Sequence, residues 1–374
     1  MILRDMKDIH LTCREIAARY HVSDTYVHYT FLQYISLPRK PLTCTVAVDE
    51  VHLNIASGSK YALVIMDFIT GDILDIVESR REDHTHRYFK EIPKKERDGV
   101  KFLISDMYKP YTNYIYKYFN NAISIVDSFH VIKWINDSIV VYINDVKKKY
   151  QARDRKALED NNYANNRDYK TRKDSNEVYI LKQAKWVLLM NKDNITYYGK
   201  RYNHFLKEYL DTYDWRNKFL ELDDKFPRIK ELKDLYEEFN GSFINDVEGA
   251  SKRLDELIEI YKNCELAMFR GFSELLEKFR VNIINSFNYV TADEKKMRHS
   301  KLRRLSNGPL ESFNNVPSSY RTQSHGVDNF QFTRNRILWS ERDGAGVLGI
   351  PKTKKEVQTK TTIKRGPHKK KNKK

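Results

Sequence analysis

The sequence predicts an α/β protein built on a mixed five-stranded sheet, interrupted by a large all-helical insertion, with a small helical segment in front and a basic tail behind. Three observations carry this reading. Between Thr45 and Val126, three strand-like runs are followed by a strand, a helix and a strand. From Tyr179 to about Phe287 the apolar residues recur with helical spacing. From Pro351 to Lys374 there are 11 basic residues against the single acid Glu356.

The opening forty residues have the pattern of a helix-turn-helix. Thr12-Cys13-Arg14-Glu15 is a capping box, in which the Thr12 hydroxyl and the Glu15 carboxylate each satisfy an orphan amide at a helix start. Ile16, Ala17 and Tyr20 then share one helical face. After the turn at His21-Val22, Ser23 caps a second helix whose Val27 and Phe31 point inward with Val22. Thr25, Tyr26 and Tyr29 are left facing out, the side from which such helices touch base edges. A plain helical hairpin is the competing reading. Arg39-Lys40-Pro41 marks the linker that closes this segment, residues 1–42.

From Thr45 the period changes to that of strands. Thr45–Leu53, Tyr61–Ile69 and Ile73–Arg80 are rich in Val, Ile and Leu, and Thr70-Gly71-Asp72 between the last two is a hairpin signal. These runs predict an antiparallel meander. A polar helix near Glu82–Lys90, a strand Val100–Ser105, a helix near Tyr111–Phe119 and a strand Ile123–Val126 follow, so the last two strands should be parallel with a right-handed crossover. This order of elements is that of a ribonuclease-H-like sheet, whose usual strand order 3-2-1-4-5 sets the first and fourth strands side by side. A long helix from about His130 to Arg155 completes the first catalytic segment, residues 43–156. Residues 157–300 form the insertion: 157–175 read as an exposed polar connection, and the stripe Leu254, Leu257, Ile258, Tyr261, Met268, Phe272, Leu275, Leu276, Phe279 reads as helical core. Residues 301–342 return to the catalytic domain, and residues 343–374 are a basic, disordered tail.

Three acids are placed by this scheme where they can meet. Asp49 interrupts the apolar first strand, and a carboxylate there is costly to bury unless something pairs with it. Asp106 directly follows Phe102-Leu103-Ile104-Ser105, and ligands of parallel sheets gather at the carboxyl ends of strands. In Ser306-Asn307-Gly308-Pro309-Leu310-Glu311, Asn-Gly makes a turn and Pro309 suits a first helical position, so Glu311 lies in a first helical turn able to lean on the sheet. Three carboxylates suit two-metal phosphoryl transfer, with ions roughly 3.5–4 Å apart, and hard oxygen ligands select Mg²⁺ or Mn²⁺ over zinc. Asp127, ending the fifth strand, is the rival for the second acid; one strand further from Asp49, it is assigned with His130 to supporting or DNA-positioning work. Glu50 should face the opposite side of the sheet, and Asp67 should serve the local backbone or a Lys.

Bulk properties narrow the function classes. The 67 Lys and Arg against 51 Asp and Glu give a net charge of +16, of which the tail holds +10, and such charge favours a polyanion because each neutralised phosphate releases counterions. A tail that merely solubilises is the plainer reading of a Lys run. Cys13, Cys44 and Cys264 are too scattered for a disulfide framework or a Cys-x-x-Cys zinc site, and no apolar run approaches the roughly 18 residues that span a bilayer. A soluble protein of the reducing cytoplasm, away from membranes, is expected.

With these residues in hand, the sequence resembles the DDE transposases of the ISL-three insertion-sequence family. The resemblance runs from Val46 to Trp339 through Val48-Asp49-Glu50, Ile104-Ser105-Asp106, Val126-Asp127-Ser128-Phe129-His130-Val131, Ser306-Asn307-Gly308-Pro309-Leu310-Glu311 and Asn335-Arg336-Ile337-Leu338-Trp339. It implies that Asp49, Asp106 and Glu311 are a catalytic triad binding two Mg²⁺ or Mn²⁺ ions. It also implies that the activity is cutting double-stranded DNA at the element's terminal repeats and joining the 3′ ends to target DNA, by a homo-oligomer that brings two ends together. Two departures stand out. Family members commonly begin with a cysteine-rich zinc-binding module, and this chain starts too late to hold one, as an N-terminally shortened copy would. Many relatives continue after the Glu with a Lys-rich helix, whereas Asn314-Asn315-Val316-Pro317 should stop the helix early here. Lys109, Lys133, Arg321, Arg334 and Arg336 are candidate DNA contacts. The competing functions are a nuclease without strand joining and an inactive or repurposed copy that only binds DNA; burying three carboxylates together argues against the latter.

Overall fold

The computed structural model describes residues 1–55, 57–160, 174–294, 299–324, 327, 329–342 and 346–358. The chain divides into two compact units, residues Met1–Asp127 with Tyr289–Lys374, and residues Ser128–Asn288.

The first unit is centred on a five-stranded mixed sheet of order β3-β2-β1-β4-β5, the order expected from the sequence. Its strands are β1 (Thr45–His52), β2 (Tyr61–Asp67), β3 (Ile73–Val77), β4 (Phe102–Ser105) and β5 (Ile123–Val126). β1, β2 and β3 pair antiparallel, and β4 pairs parallel with both β1 and β5. Gly71 makes the β2–β3 turn in the left-handed region, at φ 70°, with its amide donating to the Asp67 carbonyl. Asp67 serves this turn as expected, accepting from Ile69 N, Thr70 Oγ1 and Thr43 Oγ1.

Both faces of the sheet are covered. Ala47, Val51, Val64, Met66 and Ile104 pack with Leu310, Phe313, Phe330 and Leu338 on one side, and Val46, Val48, Leu63 and Leu103 pack with Phe89, Tyr111 and Tyr114 on the other. Along β1 this alternation is the pleat itself, each residue facing opposite its neighbour. In place of one helix near 111–119 stand two short ones, Lys109–Thr112 and Tyr114–Lys117.

The N-terminal helices are Cys13–Tyr20 and Asp24–Tyr34, with the Thr12–Glu15 capping box and the Ser23 cap both formed. They lie on helix Phe330–Glu341: His28 stacks on Phe332 at 4.1 Å, and Trp339 Nε1 donates to the Leu3 carbonyl. Residues 346–358 fold back on helix Asp24–Tyr34, where Leu348 N donates to Tyr34 O and Lys352 N to Gln33 O. Of the expected basic tail, residues 343–345 and 359–374 lie outside the described residues.

Helix Gly308–Gln323 runs through Pro317, contrary to the expectation that it would stop there. An interior proline forfeits one backbone hydrogen bond and costs about 3 kcal/mol. Here Leu310, Phe313, Pro317 and Tyr320 fall on one buried face, and that burial offsets the loss.

The second unit begins at Ser128, not at 157, because helix Ser128–Asp160 packs on the helices that follow it. Trp134 stacks on Phe272, Tyr142 Oη donates to Asp223, and Tyr150 Oη donates to the Leu222 carbonyl. Helices Phe226–Gly241, Val247–Lys262 and Ala267–Lys278 bury Leu254, Leu257, Ile258, Tyr261, Phe272 and Leu276, as the stripe predicted. Most of the polar connection at 157–175 lies outside the described residues. Two hairpins correct the all-helical expectation: β6 (Arg201–Asn203) with β7 (Glu208–Leu210) in this unit, and β8 (Tyr289–Glu294) with β9 (His299–Arg304) in the first.

Candidate active site

The pleat sends Asp49 to the side of the sheet covered by helix Gly308–Gln323. The parallel register pairs Ala47 with Ile104, an offset of 104 − 47 = 57 residues. Carried two residues further, that offset sets Asp106, just beyond the last residue of β4, opposite Asp49 on strands about 4.8 Å apart. β4 and β5 pair Ser105 with Val126, so Asp127 continues the same row, its amide donating to the Ser105 carbonyl at 3.0 Å. Three neighbouring strands thus each bring one acid to the same level of the sheet.

Glu311 arrives from the first turn of its helix, where its amide donates to Asn307 O at 2.9 Å. Two asparagines tie this helix to β1. Buried Asn307 donates through Nδ2 to the Val48 carbonyl at 3.1 Å, and Asn314 donates through Nδ2 to Asp49 Oδ2 at 2.8 Å. Both roles escaped the sequence reading, which took Asn307 for a turn residue and Asn314 for part of a helix stop. The signal was the spacing, since Asn314 stands three residues after Glu311 and so shares its helical face.

Asp49 is 7% exposed, and its pKa is raised to about 7. Burial is the main cause, the charges of Asp106, Glu311 and Glu50 add to it, and a backbone hydrogen bond at Glu50 opposes it. Asp127 and Glu311 each bring a carboxylate oxygen within 4.8 Å of the other. Among the described residues, Asp49, Asp106 and Glu311 do not form a group that tight. A pair of ions about 3.5–4 Å apart needs a wider span than one shared ion, so ligands of the two ions need not touch.

Behind the acids, Glu50 is fully engaged on the opposite face, as the pleat predicts. Arg80 pairs with it, and Tyr111 Oη donates to it at 3.1 Å. The Arg80 guanidinium also sits over the rings of Tyr61 and Tyr108, at 4.5 and 5.1 Å. Tyr108 N in turn donates to Asp106 Oδ1 at 2.8 Å, so the loop that aims Asp106 is held from beneath.

The remaining candidates are scattered. Thr25 and Tyr26 are exposed and Tyr29 is half-buried; Lys109 and Lys133 are exposed. Arg321 is half-buried at the end of β1, touching the His52 ring and donating to the His52 carbonyl at 3.1 Å. Two expected DNA contacts are corrected. Arg334 is turned inward to Asp75 and the Leu37 carbonyl, and Arg336, 1% exposed, donates to the carbonyls of Asp8 and Leu11. They brace helix Phe330–Glu341 against the N-terminal segment and β3, which leaves neither free to meet a phosphate. His130 stands in the first turn of helix Ser128–Asp160, in the second unit.

A family profile of DDE transposases of the ISL-three type, described as "Transposase", matches residues 46–337. The chain belongs to this transposase family. Its N-terminal helices lie ahead of the matched span, whereas all four acids, Asp49, Asp106, Asp127 and Glu311, lie within it. The chain is also similar to the "Transposase for insertion sequence element IS1001" of Bordetella parapertussis, 25% identical over 150 residues, which is 40% of this chain and 32% of that protein. The similarity therefore spans about a third of the relative's length. Among the described residues, no helix of this transposase is long and apolar enough to cross a membrane.

Proposed function

We propose that this transposase cuts double-stranded DNA at the ends of an insertion sequence and joins the 3′ ends to target DNA, on a ribonuclease-H-like domain in which Asp49, Asp106 and Glu311 hold two divalent ions. The observation that carries the reading is the row of acids: Asp49 and Asp106 in register on adjacent strands, with the Glu311 helix tied over Asp49 by Asn314. Like charges gathered in a buried place are unfavourable by themselves, as the raised pKa of Asp49 expresses. A cation relieves that repulsion, and an all-oxygen donor set suits Mg²⁺ or Mn²⁺. The ions would supply activation of the attacking hydroxyl and stabilisation of the leaving oxygen.

The chain's own groups do the positioning. Asn314 orients one oxygen of Asp49 and leaves the other for a cation, Tyr108 N fixes Asp106, and the apolar floor of Ala47, Val51 and Phe313 excludes water from beneath. The closeness of Asp127 to Glu311 favours a fuller version in which Asp127 is a fourth acid of the site. Helices Cys13–Tyr20 and Asp24–Tyr34 would form a helix-turn-helix presenting Thr25, Tyr26 and Tyr29 to the terminal repeats, with Lys109, Lys133 and Arg321 as backbone contacts. A homo-oligomer would hold two ends together at the nucleoid.

The test is cleavage of DNA carrying the element's own ends, with Mg²⁺, by Asp49→Asn, Asp106→Asn, Glu311→Gln and Asp127→Asn. The first three should lose roughly 10³-fold or more in rate, several kcal/mol of barrier, while DNA affinity holds or rises. An intermediate loss in Asp127→Asn would mark a supporting acid, and a full loss a metal ligand. Normal cutting by Asp49→Asn would overturn the assignment, and cleavage without joining of a pre-cut 3′ end would leave a nuclease.

A further inference from the structure

The β6–β7 hairpin of the second unit is a small two-stranded ribbon with aromatic side chains where solvent-facing strands usually carry small polar ones. Tyr202 and Tyr209 are directly paired across it, ring centroids 5.1 Å apart, and are 44% and 66% exposed. The period of two places Lys200 and His204 on the same side as Tyr202, and the His204 ring meets Tyr202 edge-on at 5.0 Å. On the opposite side Leu210 is buried, while Arg201 and Glu208 are exposed.

Charge completes the pattern. Between Lys200 and Leu210 stand Lys200, Arg201 and Lys207 against the single acid Glu208, and Glu208 is held by Lys218 at 2.7 Å. Lys207 is exposed at the turn, and among the described residues Lys200 pairs loosely with Asp214 at 3.9 Å. Nothing in the fold of the hairpin requires two large rings in water, where their apolar faces are left uncovered.

We infer that the Tyr202–Tyr209 face is a stacking platform for unpaired bases of a DNA strand, with Lys200 and Lys207 on its backbone. Aromatic rings beside a basic track are how single strands are bound without regard to sequence, since every base has a face to stack. A duplex offers no such faces, because its bases already stack on one another. A second copy of the chain fits poorly: in a two-fold contact the same patch meets itself, and here that brings basic hairpin against basic hairpin.

The test uses the full chain in EDTA, so that its result is independent of the carboxylate chemistry proposed above. Affinity is measured for a labelled oligothymidylate and for the same strand paired with oligoadenylate, in the native protein, Y202A/Y209A and Y202F/Y209F. Both side chains are exposed, so the variants should melt as the native protein does. The alanine pair should lose about tenfold or more for the single strand and less than about twofold for the duplex, and the phenylalanine pair should bind as native. Three results would overturn the inference: undiminished single-strand binding, an equal loss on both probes, or a change in sedimentation without a change in affinity.

Discussion

Asp49 and Glu50 are neighbours on one strand, both acidic and both partly or wholly buried, yet they are provided for in opposite ways. Glu50 faces Arg80 and Tyr111, a cation and a hydroxyl that together compensate its charge. Asp49 meets the Asn314 side-chain amide and a backbone hydrogen bond at Glu50, and it faces the like charges of Asp106 and Glu311. The pleat alone separates the two environments. One acid is compensated by the fold, and the other is buried among like charges, which supports the metal-ligand role proposed for it.

The largest effect that tests this contrast is on stability without metal. The folded protein holds a proton on Asp49 up to about pH 7, whereas the unfolded chain releases it near 4. A raised folded pKa gives stability that is fully present below about pH 4 and is lost as pH rises toward 7, so in EDTA this group should take away about 2–4 kcal/mol across that window. Asp49→Asn should flatten this part of the profile, and Mg²⁺ should restore native stability at pH 8. Urea melts from pH 4 to 8 measure both. An identical slope in the native protein and Asp49→Asn would mean that Asp49 is not strained by its surroundings.

Glu50 should behave in the reverse manner. Glu50→Ala strands the Tyr111 hydroxyl in a buried position and leaves Arg80 with only ring faces, which should cost roughly 1.5–3 kcal/mol at neutral pH whether or not metal is present. The requirement for Mg²⁺ in cleavage should change little. If Glu50→Ala instead raised the Mg²⁺ requirement steeply without loss of melting stability, the two acids would share one site and the contrast would fail.

How much of this was legible in the sequence follows the same division. The separation of 57 residues between Asp49 and Asp106 equals the register of β1 on β4, so reading the strands correctly was enough to bring those acids together. Strand periodicity is local, and local patterns survive in a sequence. Asp127 was placed by counting strands from Asp49, and nothing local shows that its carboxylate comes close to Glu311, delivered by a helix from 184 residues further on (311 − 127). Arg334 and Arg336 look like any surface cations until tertiary packing supplies Asp75 and the carbonyls of Asp8 and Leu11. Pro317 reads as a helix stop because the rule is local, while the buried face that overrides it is not. The β6–β7 strands, three residues each, are too short for alternation to separate them from helical surroundings.

The smallest effect tests how Asp49 is held at all. Asn314 donates to Oδ2 of Asp49, and a hydrogen bond to a carboxylate favours its charged form, so this amide works against burial and like charge. Asn314→Ala should therefore move the acid limb of the pH–rate profile to higher pH, by an amount on the order of half a unit to one unit, since such a bond contributes about 1 kcal/mol. The sign follows from the chemistry: with the donor gone, Asp49 keeps its proton longer, and a protonated acid cannot bind Mg²⁺. Raising Mg²⁺ should bring the limb back, because the ion competes with the proton for the same oxygens. Cleavage rates at several Mg²⁺ concentrations across pH 6 to 9 would measure it. A uniform loss of rate with an unmoved limb would mean that Asn314 only fastens the helix to β1, as Asn307 does through the Val48 carbonyl.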